Sequence, residues 1–170
     1  TLTDEQRAEH GWYPCDVINE GYNNLTQIRS ILPEITFDSA TQRITATYTV
    51  TDKPLEAIKR EQKERITEAR YECEVGGVLL GDTMLDTDRE TQTRIAQAKV
   101  LVDNDPSLVI KWKKANGEWV ELTHETITAM AIAIGKHVQK CFAREADLHY
   151  LIDACETIDD VLSINWEDPN

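Results

Sequence analysis

The chain has 170 residues, 41% hydrophobic and 6% aromatic, enough to bury a sizeable core as one domain or as a domain with an appendage. Its 18 Lys/Arg and 31 Asp/Glu give a net charge of −13, unevenly spread: residues 1–70 hold 9 basic and 12 acidic side chains, residues 71–170 hold 9 and 19. Such a surface repels phosphate backbones and anionic lipid, so neither nucleic acid nor membrane is expected as a partner; the charge serves solubility or a basic protein partner.

The first 34 residues carry little periodicity. Thr3-Asp4-Glu5-Gln6 can cap a short helix through Ala8, which Gly11-Trp12-Tyr13-Pro14 stops. The remainder to Pro33 reads as irregular, with at most one more short helix over Tyr22–Ile31. From Ile35 the period becomes two. Ile35, Phe37, Ile44, Ala46, Tyr48 and Val50 point one way and Thr45, Thr47, Thr49 and Thr51 the other, predicting an antiparallel hairpin that turns through Asp38-Ser39-Ala40-Thr41. A lone hairpin is marginal in water, so its apolar face needs cover, from this chain or another.

Asp52 is placed to cap a helix with Pro54 in its first turn, running to about Arg70. Its apolar stripe is thin (Leu55, Ile58, Ile66, Ala69, with Gln62 between), and Glu56–Arg60 and Glu61–Arg65 are favourable pairs. It reads as a solvated strut, the alternative being a coiled-coil stalk between subunits. The strut divides the chain into a small β-containing head over 1–52, a linking helix over 53–70 and a compact α+β domain over 71–170.

In that domain, Tyr71–Val75 alternates like an edge strand, Gly76-Gly77 turns it into Val78-Leu79-Leu80, and Gly81-Asp82 leads to Met84-Leu85. Thr87-Asp88-Arg89-Glu90 is a capping box, Thr87 to Glu90 and back, for a helix with Ile95, Ala98, Leu101 and Val102 inward. A hairpin follows, Leu108–Lys113 with Glu118–Leu122 about Ala115-Asn116-Gly117. Thr123 then caps a helix reaching Cys155, with apolar residues at steps of three and four. Its roughly 45 Å exceeds a small domain, so it bends near Gly135 or Arg144 or projects beyond its core. Thr157 starts a last short helix, and Ser163–Trp166 is expected back on the sheet. The fold class is α+β: a small N-terminal hairpin region, a linking helix, and a C-terminal domain of short antiparallel hairpins covered by helices, one of them long.

No run approaches the roughly 20 apolar residues that cross a bilayer, and the opening residues do not read as a signal peptide. Cys15, Cys73, Cys141 and Cys155 show no CxxC spacing, so the thiols are expected reduced, as small core residues. Cys141 and Cys155, about 21 Å apart on one helix, cannot bridge unless it breaks. His137 and Cys141, at i,i+4, can present two ligands to one metal, but Val138 and Phe142 mark that face as core. His149 and Asp153 repeat the spacing and read as a hydrogen-bonded surface pair. Asp82, Asp86, Asp88 and Glu90 suit a cation, yet helix capping explains carboxylates there. Gly76-Gly77 has no Walker or GxGxxG frame, and no nucleophile motif occurs. Trp112 and Trp119 form a stacking patch only if register brings them together. No enzyme and no cofactor is expected.

Gly11-Trp12-Tyr13-Pro14, then Tyr48-Thr49-Val50-Thr51-Asp52-Lys53-Pro54-Leu55 leading into a polar helix, resembles short proteins of tailed phages encoded beside tail-fibre genes. The remainder is similar to a phage C-terminal domain of unassigned activity, through Gly81, Thr87-Asp88-Arg89 with Gln92, Ile110-Lys111-Trp112-Lys113, Gly117-Glu118-Trp119-Val120, His137-Val138-Gln139 with Phe142, and Ile164-Asn165-Trp166. The likeness spans most of the chain, least over 15–45. It implies a non-enzymatic tail protein, a fibre assembly chaperone or virion accessory, binding the tail fibre or baseplate in the host cytoplasm during assembly or on the virion tail. A trimer through the strut helix would match fibre symmetry. The docking residues expected are Ile35, Phe37, Ile44, Tyr48 and Val50. The opposing class is a metal-assisted hydrolase of host cell-surface polymer, using the acidic 82–90 stretch.

Overall fold

The computed structural model describes residues 3–114 and 117–168. The fold is α+β, and the chain divides into two compact units, residues 1–58 and 59–170.

The first unit opens with α1 (Asp4–Glu9). Thr3 Oγ1 accepts from the Gln6 N–H at 3.3 Å and Gln6 Oε1 from the Thr3 N–H at 2.9 Å, the reciprocal cap expected of Thr-x-x-Gln. Three strands form its main sheet: β1 (Cys15–Ile18) lies parallel to one side of the central strand, and β3 (Glu34–Asp38) antiparallel to the other side. That central strand is β4 (Arg43–Thr47). The predicted hairpin is therefore present as β3–β4. Asp38 holds its turn, accepting from the Ala40 N–H at 2.9 Å and the Thr41 hydroxyl at 2.7 Å.

Two expectations for this unit are corrected. The stretch read as irregular contains strands, β1 and also β2 (Gln27–Arg29). The hairpin's second arm stops at Thr47, and Val50–Asp52 forms β5, which pairs with β2. Asp52 does not cap a helix; its carboxylate accepts from Gln27 Nε2 at 3.0 Å.

The helix α2 (Leu55–Val75) carries the chain from residue 58 into the second unit, and the Pro54 carbonyl accepts from the Ala57 and Ile58 N–H groups. It continues five residues past the expected end, so Tyr71–Val75 is helical and the strand expected there is absent. Nor is it a solvated strut. Gln62, Ile66, Arg70 and Glu74 are buried, and three of these four are polar, which is why the stripe looked thin.

A hairpin of β6 (Val78–Leu80) and β7 (Thr83–Leu85) follows, then α3 (Arg89–Asn104). The α3 cap is Asp88, which accepts from the Glu90 and Thr91 N–H groups, and not the expected Thr87. The second hairpin pairs β8 (Ile110–Lys113) with β9 (Trp119–Leu122); Ala115 and Asn116 of its expected turn lie outside the described residues. Then come α4 (His124–Ala154), capped by Thr123, and α5 (Ile158–Ser163), capped by Thr157.

The core joins α3 to the first half of α4: Ile95, Ala98 and Val102 meet Ile127, Met130 and Ile134, with Leu85 and Leu122 from the hairpins. Burying each fully enclosed isoleucine contributes about 1.5–3 kcal/mol. Leu101, expected inward, is 56% exposed. The helix α4 is unbroken at Gly135 and Arg144 and spans about 46 Å. Its excess length is used within the unit, because the second half bonds to α2: Glu145 accepts from Thr67 Oγ1 at 2.5 Å, and Asp153 from Lys63 Nζ at 2.5 Å. Residues 164–168 return to these helices and not to a sheet. Gln62 Nε2 donates to the Ile164 carbonyl at 2.6 Å.

Candidate functional site

The docking residues expected from the sequence separate into two groups. Alternation along the ladder puts Phe37 beside Ile44 and Ile35 beside Ala46 on one face of the three-stranded sheet, and β1 adds Cys15 and Val17 to the same rows. Ala46 is buried and Ile44 half-buried, whereas Val17, Ile35 and Phe37 are 62%, 68% and 50% exposed. Tyr13 packs on Phe37, ring centroids 4.8 Å apart. Tyr48 and Val50 lie beyond the end of β4. Tyr48 is half-buried under the Arg29 guanidinium, 5.0 Å from its ring, and Val50 pairs with Arg29 on β2. The face therefore comprises Val17, Ile35, Phe37 and Ile44, without Tyr48 or Val50. Val17 was missed because nothing in its neighbourhood alternates.

The second unit holds two polar centres. Glu74, in the last turn of α2, is fully buried and accepts from Arg70, from Arg89 Nη2 at 3.2 Å and from Gln92 Nε2 at 3.2 Å. Arg70 also donates through Nε to Glu145 at 3.1 Å, and its guanidinium lies 4.5 Å from the Phe142 ring centroid. One helical turn along α4 is a thiol–imidazole cluster. Cys141 Sγ is 3.4 Å from Cys73 Sγ and 3.9 Å from His137 Nε2, and His137 Nε2 lies 2.9 Å from the Cys73 carbonyl oxygen. Burial first, then the Cys141 contact, pushes the Cys73 thiol up to about 12, so it is protonated at neutral pH. Burial also raises Cys141. Neither thiol is a ready nucleophile.

A cavity of about 930 Å³ opens in the same unit, with Met84, Leu85, Trp112 and Met130 as its apolar wall and Asp86 and Glu90 among its acidic lining. Arg94 lies over Trp112, 4.3 Å from the ring centroid. Two carboxylates of the acidic stretch have partners on α3. Asp88 is held below the usual carboxylate range by the Thr91 hydroxyl and N–H, and Glu90 pairs with Arg94 at 3.9 Å. Trp112 and Trp119 do not meet: Trp112 pairs with Val120, Trp119 with Lys113, on opposite faces. Trp119 is 67% exposed. His149 and Asp153 do not bond each other; both reach Lys63, His149 Nε2 at 3.2 Å from its carbonyl oxygen and Asp153 accepting from its ammonium.

The profile of the domain of unknown function DUF4376 matches residues 57–167, well over half of the chain. The chain belongs to the DUF4376 family. No curated protein and no solved structure matches it. The DUF4376 stretch contains α2 almost entire and both polar centres, and leaves out the apolar sheet face of the first unit. Within the DUF4376 domain, His137 and Cys141 were legible as an i,i+4 pair. Cys73 was not joined to them because residues 71–75 alternate like a strand. Continuing the 53–70 helix one turn places Cys73 and Glu74 on it, and the i,i+4 step from Arg70 to Glu74 was the available signal. No helix among the described residues is long and apolar enough to cross a membrane.

Proposed function

We propose that this chain is a non-enzymatic tail protein of a tailed phage, binding a tail-fibre or baseplate protein through the apolar sheet face of its first unit, as a fibre assembly chaperone or a virion accessory. One observation carries the docking part. Val17, Ile35 and Phe37 share one sheet face, Val17 and Ile35 flanking Ala46, each half or more exposed, and large apolar side chains grouped in this way mark interaction surfaces. Ile31 and Leu32, at 94% and 78% exposed, precede β3 and add apolar surface to the same unit. The phage assignment rests on the sequence resemblance. The inner side of α2 bonds to α4, so a trimer through that helix would have to use its outer side.

Co-expression with the fibre protein encoded beside it, followed by affinity capture, tests the reading. Ile35→Asp, at a side chain 68% exposed, should abolish capture while leaving the melting temperature nearly unchanged. Full capture by that variant overturns the proposal. Mass spectrometry of purified virions then separates the roles: stoichiometric presence means an accessory, presence in lysate alone a chaperone. In the 82–90 stretch, on which a hydrolase would rely, Asp88 caps α3 and Glu90 pairs with Arg94.

A further inference from the structure

We propose that Cys73, His137 and Cys141 form a zinc site that ties the last turn of α2 to the middle of α4. The three donor atoms, Cys73 Sγ, His137 Nε2 and Cys141 Sγ, all lie within 4.8 Å of one another. Tetrahedral zinc with bonds of about 2.3 Å to sulfur and about 2.05 Å to nitrogen requires S···S near 3.8 Å and S···N near 3.6 Å. The observed 3.4 Å between the sulfurs and 3.9 Å between Cys141 Sγ and His137 Nε2 are each within a few tenths of an ångström of those values. The two elements are joined one turn from the cluster, where Arg70 of α2 bonds Glu145 of α4. Changes of this size in those two separations are within reach of side-chain rotation.

The donor set selects the metal. Two thiolates and one imidazole suit zinc and discriminate against magnesium and calcium, which take oxygen. The charge also balances, because two thiolates neutralise one divalent zinc. Both cysteines bind the metal as thiolates, so coordination releases their protons. His137 gives up its contact with the Cys73 carbonyl on binding, and that contact keeps the imidazole aimed into the cluster beforehand. Cys141 is buried, while Cys73 and His137 are only half-buried, so the ion has a way in. Asp168 reaches the cluster from the chain beyond α5. Its carboxylate comes near Cys73 and accepts from Trp166 Nε1 at 2.8 Å.

Anaerobic titration of the reduced full chain with cobalt(II), a spectroscopic stand-in for zinc, tests the site. The expected result is a thiolate-to-cobalt charge-transfer band with tetrahedral d–d bands, saturating at one equivalent and displaced by zinc. The charge-transfer band should fall by about half in Cys73→Ser and Cys141→Ser, and the d–d pattern should change in His137→Gln. Cys15→Ser with Cys155→Ser should titrate like the parent chain. Asp168→Asn should weaken cobalt binding about tenfold, as changes beside a metal ligand do. Zinc should raise the melting temperature of the parent chain and not that of Cys73→Ser. Absence of the charge-transfer band in the folded parent chain overturns the proposal without any variant, and so does its loss when only Cys15 and Cys155 are replaced.

Discussion

The Thr87 hydroxyl donates to the Glu74 carbonyl oxygen at 2.6 Å, tying the residue before the α3 cap to the last turn of α2. Thr87 Oγ1 in turn accepts from the Gly77 N–H at 2.8 Å, and Thr87 is fully buried. The hydroxyl thus satisfies two backbone groups where a helix ends and a hairpin begins. Thr87→Val keeps the shape and leaves both groups unpaired, so it should destabilise the chain by about 1–3 kcal/mol. Thr87→Ser should recover most of that loss. Urea denaturation checks this through a lower midpoint at unchanged slope.

Glu74 is the buried carboxylate on which Arg70, Arg89 and Gln92 converge, and the three donors differ in what their loss should cost. Arg70 is almost fully buried and also serves Glu145, so Glu74→Gln leaves a buried guanidinium short of its nearer counter-charge. Breaking a buried pair in this way should cost about 3–5 kcal/mol. The Arg89 side chain is 59% exposed, and Arg89→Ala should cost under about 1 kcal/mol. Chemical denaturation of both variants measures the order. Equal effects would mean that the network is not centred on Glu74.

The contrast between α4 and α2 shows what the sequence could reveal. The long helix was legible because Ile127, Met130, Ile134, Cys141, Leu148 and Ile152 are apolar, buried and in step, with Thr123 capping as expected. The inner face of α2 carries Gln62, Arg70 and Glu74, which are buried only because partners from α4, α3 and the segment after α5 satisfy them. A pattern of apolar residues cannot register such a face, and the helix was read as a strut that ends too soon. That error also separated Cys73 from His137 and Cys141. The strands β1 and β2 were invisible for another reason. They are three or four residues long, and β1 is exposed throughout, joined to β4 by a parallel ladder and by the Asp16–Arg43 pair. Such pairing lies in the tertiary contacts and leaves no local period.

Gly77 has φ +98°, and a Cβ there would stand 3.0 Å from Met84 Sδ and 3.1 Å from the Leu85 carbonyl oxygen. Gly81 has φ +60° with nothing within 4 Å of its Cβ position. Gly81→Ala should therefore carry only the left-handed backbone cost, about 1–2 kcal/mol. Gly77→Ala adds a clash with the strand it faces and should lose more. Thermal melts of the two variants read the difference; equal losses would mean that Met84 moves aside at no cost and backbone strain is the whole effect.

Asp153 and Lys63 make the outermost tie between α4 and α2, at 2.5 Å, with Lys59 Nζ donating to the Asp153 carbonyl oxygen at 3.0 Å. The Lys63 hydrogen bond holds the Asp153 carboxyl below its ordinary value of 3.8. A carboxyl depressed in the folded state binds protons more readily when unfolded, so stability rises with pH across the interval between the two values. Its contribution is complete above the unfolded value and is lost as the pH falls through the folded one. Asp153→Asn removes that titration. The parent chain should be the more stable above the ordinary carboxylate range, and the gap should close as the pH falls through and below that range. Because the pair is exposed, salt should narrow the gap at neutral pH as well. Melting temperatures of both proteins measured against pH, at low and high salt, check this; curves that stay parallel into acid would show that Lys63 holds Asp153 no better than water does.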